Sequence, residues 1–368
     1  ALAATALSAA LAIPAAWLAS RTNVPLARSF LYVAAVPLLI PSHTVAYAWM
    51  QFMEVIGKVI HGSAGHPLLP YYNMPFCVFV LALYFFPISF YGAFAAFRST
   101  DPLAENAALV YQSPLKVFRR VTLPSATPYL FGSIALAGLL IFTEYGIPAM
   151  LTVNTFVGEL FAFMSGFLSV SNAIVFSFLM FIIILVTGWF VFRKIPVTYF
   201  FTGNQSTHRH RTFKLRGWVR KLCSAYVLIT LTLVVVVPIA ALVIRAFSLT
   251  GDPKADGEIF SGLKYFMEGL KYGEKDFKTT LITAPLSAVL ATVIALPIAR
   301  MLAFTAKRVK YMLFVFVAMT FVIPATIFGI GVLMIYNMPI FDPIYDSPLI
   351  IVFAYVGMFT PIAVLILA

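Results

Sequence analysis

Charge is what this chain has least of. Only 10% of its 368 residues are Asp, Glu, Lys or Arg, while 62% are hydrophobic. A water-soluble domain carries roughly a quarter of its residues as charges, so a soluble globular body is excluded. Cysteine is almost absent as well: Cys77 and Cys223 are the only two, both inside or at the edge of apolar runs. That excludes a disulfide framework and leaves buried free thiols. His61 and His66 find no further His, Cys or carboxylate to complete a metal site and read as solvated loop residues, so neither metal nor cofactor is expected. The chain lacks a G-x-x-x-x-G-K-[ST] phosphate loop, so any ATP it depends on binds to another polypeptide. It also lacks H-E-x-x-H, paired Asp, or a Ser and His at useful spacing, which argues against an intramembrane enzyme.

What is present is length without charge. Runs free of Asp, Glu, Lys and Arg occupy 1–20, 29–53, 59–97, 121–143, 160–192, 222–244, 279–299, 311–341 and 347–368. Each reaches the roughly 20 residues a helix needs to cross about 30 Å of hydrocarbon. The runs are continuously apolar and not alternating, so the expected class is all-α, a polytopic membrane protein with nine spans, and not a barrel. Counted over alternate loops, one set (20–29, 98–127, 193–221, 304–310) carries 17 Lys and Arg and the other set carries 5. The positive-inside rule places the first set in the cytoplasm. The net charge of +12 is therefore a topology signal, and no nucleic-acid partner is expected.

Internal repetition organises the rest. Pro14 in AIPAAWLASR has a counterpart in Pro297 of ALPIARMLAF, and Ile40-Pro41 matches Ile323-Pro324 at the same offset of 283 residues. Tyr72-Asn73-Met74-Pro75 matches Tyr345-Asp346-Ser347-Pro348 at an offset of 273. Six spans, an even number, separate the copies, so they run in the same direction through the membrane, unlike the inverted repeats of many ion-coupled transporters. The expected division is a first repeat over 1–192 lacking its first span, a basic cytoplasmic linker over 193–221, and a second repeat over 222–368. On this reading nine of about twelve spans are in hand. The twin of Glu105 would fall near position 378, beyond the second repeat. Glu144 sits near the outer end of its span and is a candidate for the translocation path, because a carboxylate at that depth is costly without a partner or a cavity. Gly146 and Pro148 should break the helix just after it. In the outside loop, GEIFSGLKYFMEGLKYGEKDF alternates apolar and charged residues at helical spacing and suggests a short surface helix.

One polar island, Ser99 to Pro124, lies between two apolar runs on the cytoplasmic side. Asp101-Pro102 is a helix start with an acidic cap and proline at the first position, and Ser113-Pro114 repeats that logic. Leu115, Phe118 and Val121 fall on one side of the second helix, Lys116, Arg119 and Arg120 on the other, and Leu123-Pro124 should close it.

These residues resemble the cytoplasmic signature of permease subunits of binding-protein-dependent ABC importers, E-A-A, three residues, G, nine residues, I-x-L-P. Here stand Glu105, Asn106 and Ala107, followed by Ala108, then Tyr111 in place of the Gly, then Ser113, Pro114 and, at the right interval, Val121, Thr122, Leu123 and Pro124. Over the whole chain the order of spans is similar to that of fused, two-copy permeases of the iron(III) type. The resemblance implies a type I ABC importer transmembrane fold in a bacterial inner membrane. It implies ATPase subunits and an external solute-binding protein as partners, and iron(III) as the solute, with thiamine, phosphonate and polyamine as alternatives. It also implies that Glu105 and the apolar face of the short helix sit in a cleft of the ATPase, so that Glu105→Lys would abolish coupling without unfolding the chain. Tyr111 departs from the pattern, since Gly would permit a left-handed turn that a bulky residue resists. The competing expectation is an ion-coupled secondary transporter using Glu144.

Overall fold

The computed structural model describes residues 1–27, 29–61, 70–165, 170–194, 212–248, 259–305, 309 and 325–367. Among them the structure is helical and contains no strand, only one isolated parallel bridge between Thr22 and Phe213. The helical class expected from unbroken apolar runs is therefore met. Four helices are long and apolar enough to cross a membrane alone, and three pairs bent at a short break would bring the number to seven. Part of the expected span 311–341, residues 311–324 with Ile323 and Pro324, lies outside the described residues, as do His66 and linker residues 195–211. The chain forms two compact units, Ala1–Glu159 with Thr187–Arg245, and Leu160–Val186 with Ala246–Ala368.

The first unit begins with α1 (Leu2–Arg21), α2 (Phe30–Val33), α3 (Val36–Leu39), α4 (Ser42–His61), α5 (Met74–Tyr84) and α6 (Phe86–Arg98). α1 buries the small side chains Ala4, Ser8, Ala12, Ala15 and Ala16 against α5 and α6. Small residues let helix backbones approach closely where lipid supplies no hydrophobic drive. Ser8 and Ser89 share a buried hydroxyl hydrogen bond of 3.0 Å across α1 and α6. Phe30, Phe86 and Phe90 stack nearby with centroids 4.8 to 5.6 Å apart.

The run 29–53 does not cross as one helix. Phe30–Leu39 and Ser42–Gly57 meet at 101°. Pro41 explains the break: it has no N–H to donate and drives Ile40 into extended backbone, with φ −97° and ψ 132°. α4 then continues through Glu54 to His61, so His61 ends a helix and does not lie in a loop. Glu54 accepts a 2.8 Å hydrogen bond from the Tyr71 hydroxyl. Burial and the facing Glu54 carboxylate push the Tyr71 phenol above its ordinary range, so Tyr71 stays the donor.

After α6 come α7 (Pro102–Tyr111), α8 (Pro114–Val117), a π turn (Phe118–Thr122), α9 (Leu123–Thr143), α10 (Gly146–Met150), α11 (Phe156–Ser165) and α12 (Val170–Lys194), of which Leu160 to Val186 belong to the second unit. The unit closes with α13 (Gly217–Leu231), a second π turn (Thr232–Val236) and α14 (Val237–Ser248). α13 lies against α1, where the Tyr226 hydroxyl donates to the Leu11 carbonyl at 2.6 Å.

In the second unit, α15 (Ile259–Tyr272) is the amphipathic helix read from the outside loop, with Phe266, Met267 and Leu270 exposed. It is followed by α16 (Glu274–Phe304), α17 (Ala325–Tyr336), α18 (Asp342–Tyr345) and α19 (Leu349–Leu367). α16 buries Ala291, Ala295, Ala299 and Leu302, and its main packing partner is α19. Pro297 lies inside α16 as Pro14 lies inside α1, and Tyr345 to Pro348 lead into α19 as Tyr72 and Asn73 lead into α5. Within each unit, the helix with the shared proline thus packs on the helix that follows the shared tyrosine segment.

Candidate functional site

The polar island folds as a helix pair between α6 and α9. Asp101 caps α7 as its sequence position suggests, accepting a 2.9 Å bond from the Leu103 N–H. Pro102 occupies the first turn, where its missing N–H costs nothing. At the other end Tyr111 is the last helical residue and Gln112 leaves in extended backbone, φ −131° and ψ 151°. No left-handed residue is needed in this turn; the only described non-Gly residues at positive φ are Leu26 and Thr152. The bulk of Tyr111 is therefore accommodated without strain.

Glu105 points inward. It is 7% exposed and meets Arg21, the last residue of α1, which is 1% exposed. The guanidinium grips both carboxylate oxygens, Nη1 to Oε2 at 2.9 Å and Nη2 to Oε1 at 3.0 Å. Nη2 also donates to the Phe97 carbonyl at 2.6 Å and to the Thr100 hydroxyl. Thr100 in turn donates to Glu105 Oε1 at 3.0 Å. A planar fork against a carboxylate is the geometry in which arginine holds a buried charge, and the Phe97 carbonyl and Thr100 hydroxyl share the Nη2 proton that the carboxylate leaves over. Arg21 therefore ties together the ends of α1 and α6 and the first turn of α7.

With Glu105 turned in, α7 is amphipathic in the reverse sense. Its only charged residue is buried, while Leu103, Ala104, Ala107, Val110 and Tyr111 are exposed, Val110 at 73% and Tyr111 at 90%. Ala108 is half-buried and Ser113 is exposed. α8 begins at Pro114, and α7 folds back on α8 and the π turn. Lys116, Arg119 and Arg120 are exposed beside this apolar face.

Leu123-Pro124 does not end the second helix. The helical path runs on from α8 through the π turn at Phe118–Thr122 into α9. Proline removes one N–H and collides with the carbonyl four residues earlier, here Arg120. A wider π turn just before Pro124 relieves that collision, so the chain enters the membrane without a break. Val121 and Leu123 are half-buried and Pro124 is exposed. Phe118 packs edge-on to Trp17 of α1 at 5.7 Å.

The far end of the basic linker returns to the same place. The Phe213 N–H donates to the Arg21 carbonyl at 2.7 Å, and the Leu215 N–H to Asn23 Oδ1 at 2.8 Å. Phe213 stacks on Trp17 with centroids 6.0 Å apart. Segments from the three loops of this half that share the Lys and Arg excess thus converge at one end of the first unit.

Glu144 is placed elsewhere. A break is present but lies earlier than expected: α9 stops at Thr143, Glu144 is extended, and Gly146 and Pro148 belong to α10, which Glu144 caps, its Oε1 accepting from the Gly146 N–H at 2.7 Å and the Ile147 N–H at 3.4 Å. Gly146 leaves no room for a Cβ, which would lie 2.5 Å from Ser42 Oγ, 3.1 Å from Glu144 Oε1 and 3.2 Å from the His43 nitrogen. The carboxylate is thus fixed where α10 meets the start of α4, beside the break at Pro41. Among the described residues no group of His, Cys, Asp and Glu could hold a metal ion, and Cys77 is a buried and Cys223 a half-buried free thiol.

No protein-family model matches the chain, and no curated protein does. Sequence reasoning missed Arg21, which it used only as a topology marker. No local signal pointed to it, because the apolar residues around Glu105 would by themselves have turned the carboxylate outward.

Proposed function

We propose that the chain is the membrane-spanning permease subunit of an ATP-driven ABC importer of the bacterial inner membrane, passing a small solute, most simply iron(III), from an external binding protein to the cytoplasm. The observation that carries this reading is the helix pair α7–α8, an insertion between two membrane helices in which α7 buries its one charge and, Asn106 apart, exposes apolar residues. A cytoplasmic helix that spends its carboxylate on internal fixation and leaves Leu103, Val110 and Tyr111 in water has a face suited to a protein cleft. Tyrosine is among the residues most often found as interface anchors. The exposed Lys116, Arg119 and Arg120 alongside suit an acidic rim on the partner. The signature spacing from Glu105 to Pro124 and the like packing of the proline-bearing helix within each unit support the same reading.

The test is reconstitution of the full-length protein with the ATPase and binding protein encoded beside it. Ferric-ion uptake that needs ATP is expected; uptake driven by an ion gradient from liposomes holding the permease alone would instead support a secondary transporter. Placing charges on the exposed stripe, Val110→Asp with Tyr111→Asp, is expected to weaken ATPase association about 30-fold, the equivalent of losing one anchor residue. Both positions are exposed, so the thermal midpoint of the permease itself should not move. Undiminished association of the double variant would remove α7 as the docking face.

A further inference from the structure

We infer that Arg21 is a positioning residue of the coupling site: the Arg21–Glu105 pair makes α7 move as one body with α1, so that a push on the helix pair reaches the membrane through α1 as well as through the chain connections to α6 and α9. The inference rests on the importer reading and deepens it, because it reassigns Glu105 from the partner-facing side to the inside of the permease.

The argument is one of connectivity. Without the pair, α7 is joined to the rest of the unit through its two chain ends and its packing on α8 and the π turn. The turn at its start, Ser99 to Asp101, could hinge on its own. Arg21 removes that freedom by binding three segments at once: its side chain holds Glu105 in α7 and the Phe97 carbonyl of α6, while its backbone closes α1. Thr100 lies between the two charged groups and bonds to both. The Arg21 carbonyl receives the Phe213 N–H, so the returning linker is fastened to the same residue. Trp17, one turn before Arg21, adds a second link through its contact with Phe118. α1 is also packed on four helices of the first unit, α5, α6, α9 and α13. A displacement of α7 is thereby delivered to the centre of the unit and not to its edge. A fork of two donors resists rotation as well as separation, which a single ammonium contact does not.

A purely structural role and a transmitting role are separated by replacing both charges with apolar residues of similar size. Arg21→Met together with Glu105→Leu leaves no unpaired buried charge, so the permease is expected to keep its thermal midpoint in detergent. In the reconstituted complex, ATP hydrolysis stimulated by the ferric-loaded binding protein is expected to fall about five- to tenfold, with ATPase association unchanged. Arg21→Lys, which keeps the charge and loses the fork, should lower stimulation in the same direction and carries the test should the double variant not fold. Full stimulation in the double variant, or in Arg21→Lys where that variant carries the test, would overturn the inference and leave the importer reading standing. Absence of stimulation in the wild-type complex would overturn the importer reading itself, and the inference with it.

Discussion

Glu105→Lys is expected to unfold the cytoplasmic end of the first unit, and not merely to silence a contact with a partner. The substitution sets a second cation against Arg21 in a site where Arg21 is 1% and Glu105 7% exposed. It also breaks both hydrogen bonds of the fork and the one from Thr100. Removing one partner of a buried pair costs about 3–5 kcal/mol, and adding like charge can only increase that. Out of a stability of order ten kcal/mol this is a large fraction. The expected result is a sharp fall in the thermal midpoint of the purified chain and in its level in the membrane. Glu105→Gln, which keeps an acceptor in place and removes only the charge, should lie between the two. The outcome expected from the signature alone, a folded permease that has lost its ATPase, would be recognised by an unchanged midpoint, and it would return Glu105 to a partner-facing role.

That revision shows where sequence reading stopped. Helical class, the cap at Asp101 and the helix in the outside loop were legible because each depends on residues within a few positions of one another: a charge-free run of sufficient length, an acidic residue before proline, an alternation at helical period; the Gly and Pro pair after Glu144 announced a break but not its place, which is before Glu144. The break at Ile40-Pro41 was visible as two prolines in a span but not as a bend, since whether a neighbouring helix satisfies freed backbone groups is decided by packing. Leu123-Pro124 was read as a stop because proline usually is one; a π turn, which no local pattern announces, let the helix continue. Arg21 and Glu105 are 84 residues apart, and nothing in either neighbourhood names the other. The return of Phe213 to Trp17, across nearly the whole first unit, is of the same kind. Glu144 was singled out by its depth alone; that its carboxylate caps α10 is set by a turn of three residues.

Gly92→Ala is expected to force apart the two membrane helices that carry the coupling pair. A Cβ at position 92 would lie 2.0 Å from the Cβ and 2.7 Å from the Oγ of Ser133, and 3.3 Å from its Cα, distances that require the backbones of α6 and α9 to separate. A flexible side chain could swing aside, but Cβ and Cα cannot. Overpacking of this kind costs about 1–3 kcal/mol in a close-packed interior, and a crossing of small residues in a membrane has no slack in its side chains to absorb it. The consequence reaches beyond stability, because α6 delivers the chain into α7 and α9 receives it from the π turn, so their crossing sets the distance between the two anchors of the helix pair. Exchanging the two small residues provides the check. Ser133 spends its hydroxyl on the Leu130 carbonyl of its own helix, so Ser133→Gly alone should be mild, about 1 kcal/mol for a glycine in a helix. In the double variant Gly92→Ala with Ser133→Gly, the new methyl group takes the space the serine vacates. The thermal midpoint of the pair should then approach that of Ser133→Gly alone, a coupling between the sites of opposite sign to the clash. Strictly additive losses would show that α6 and α9 do not cross at Gly92, and would remove the frame on which the position of α7 depends.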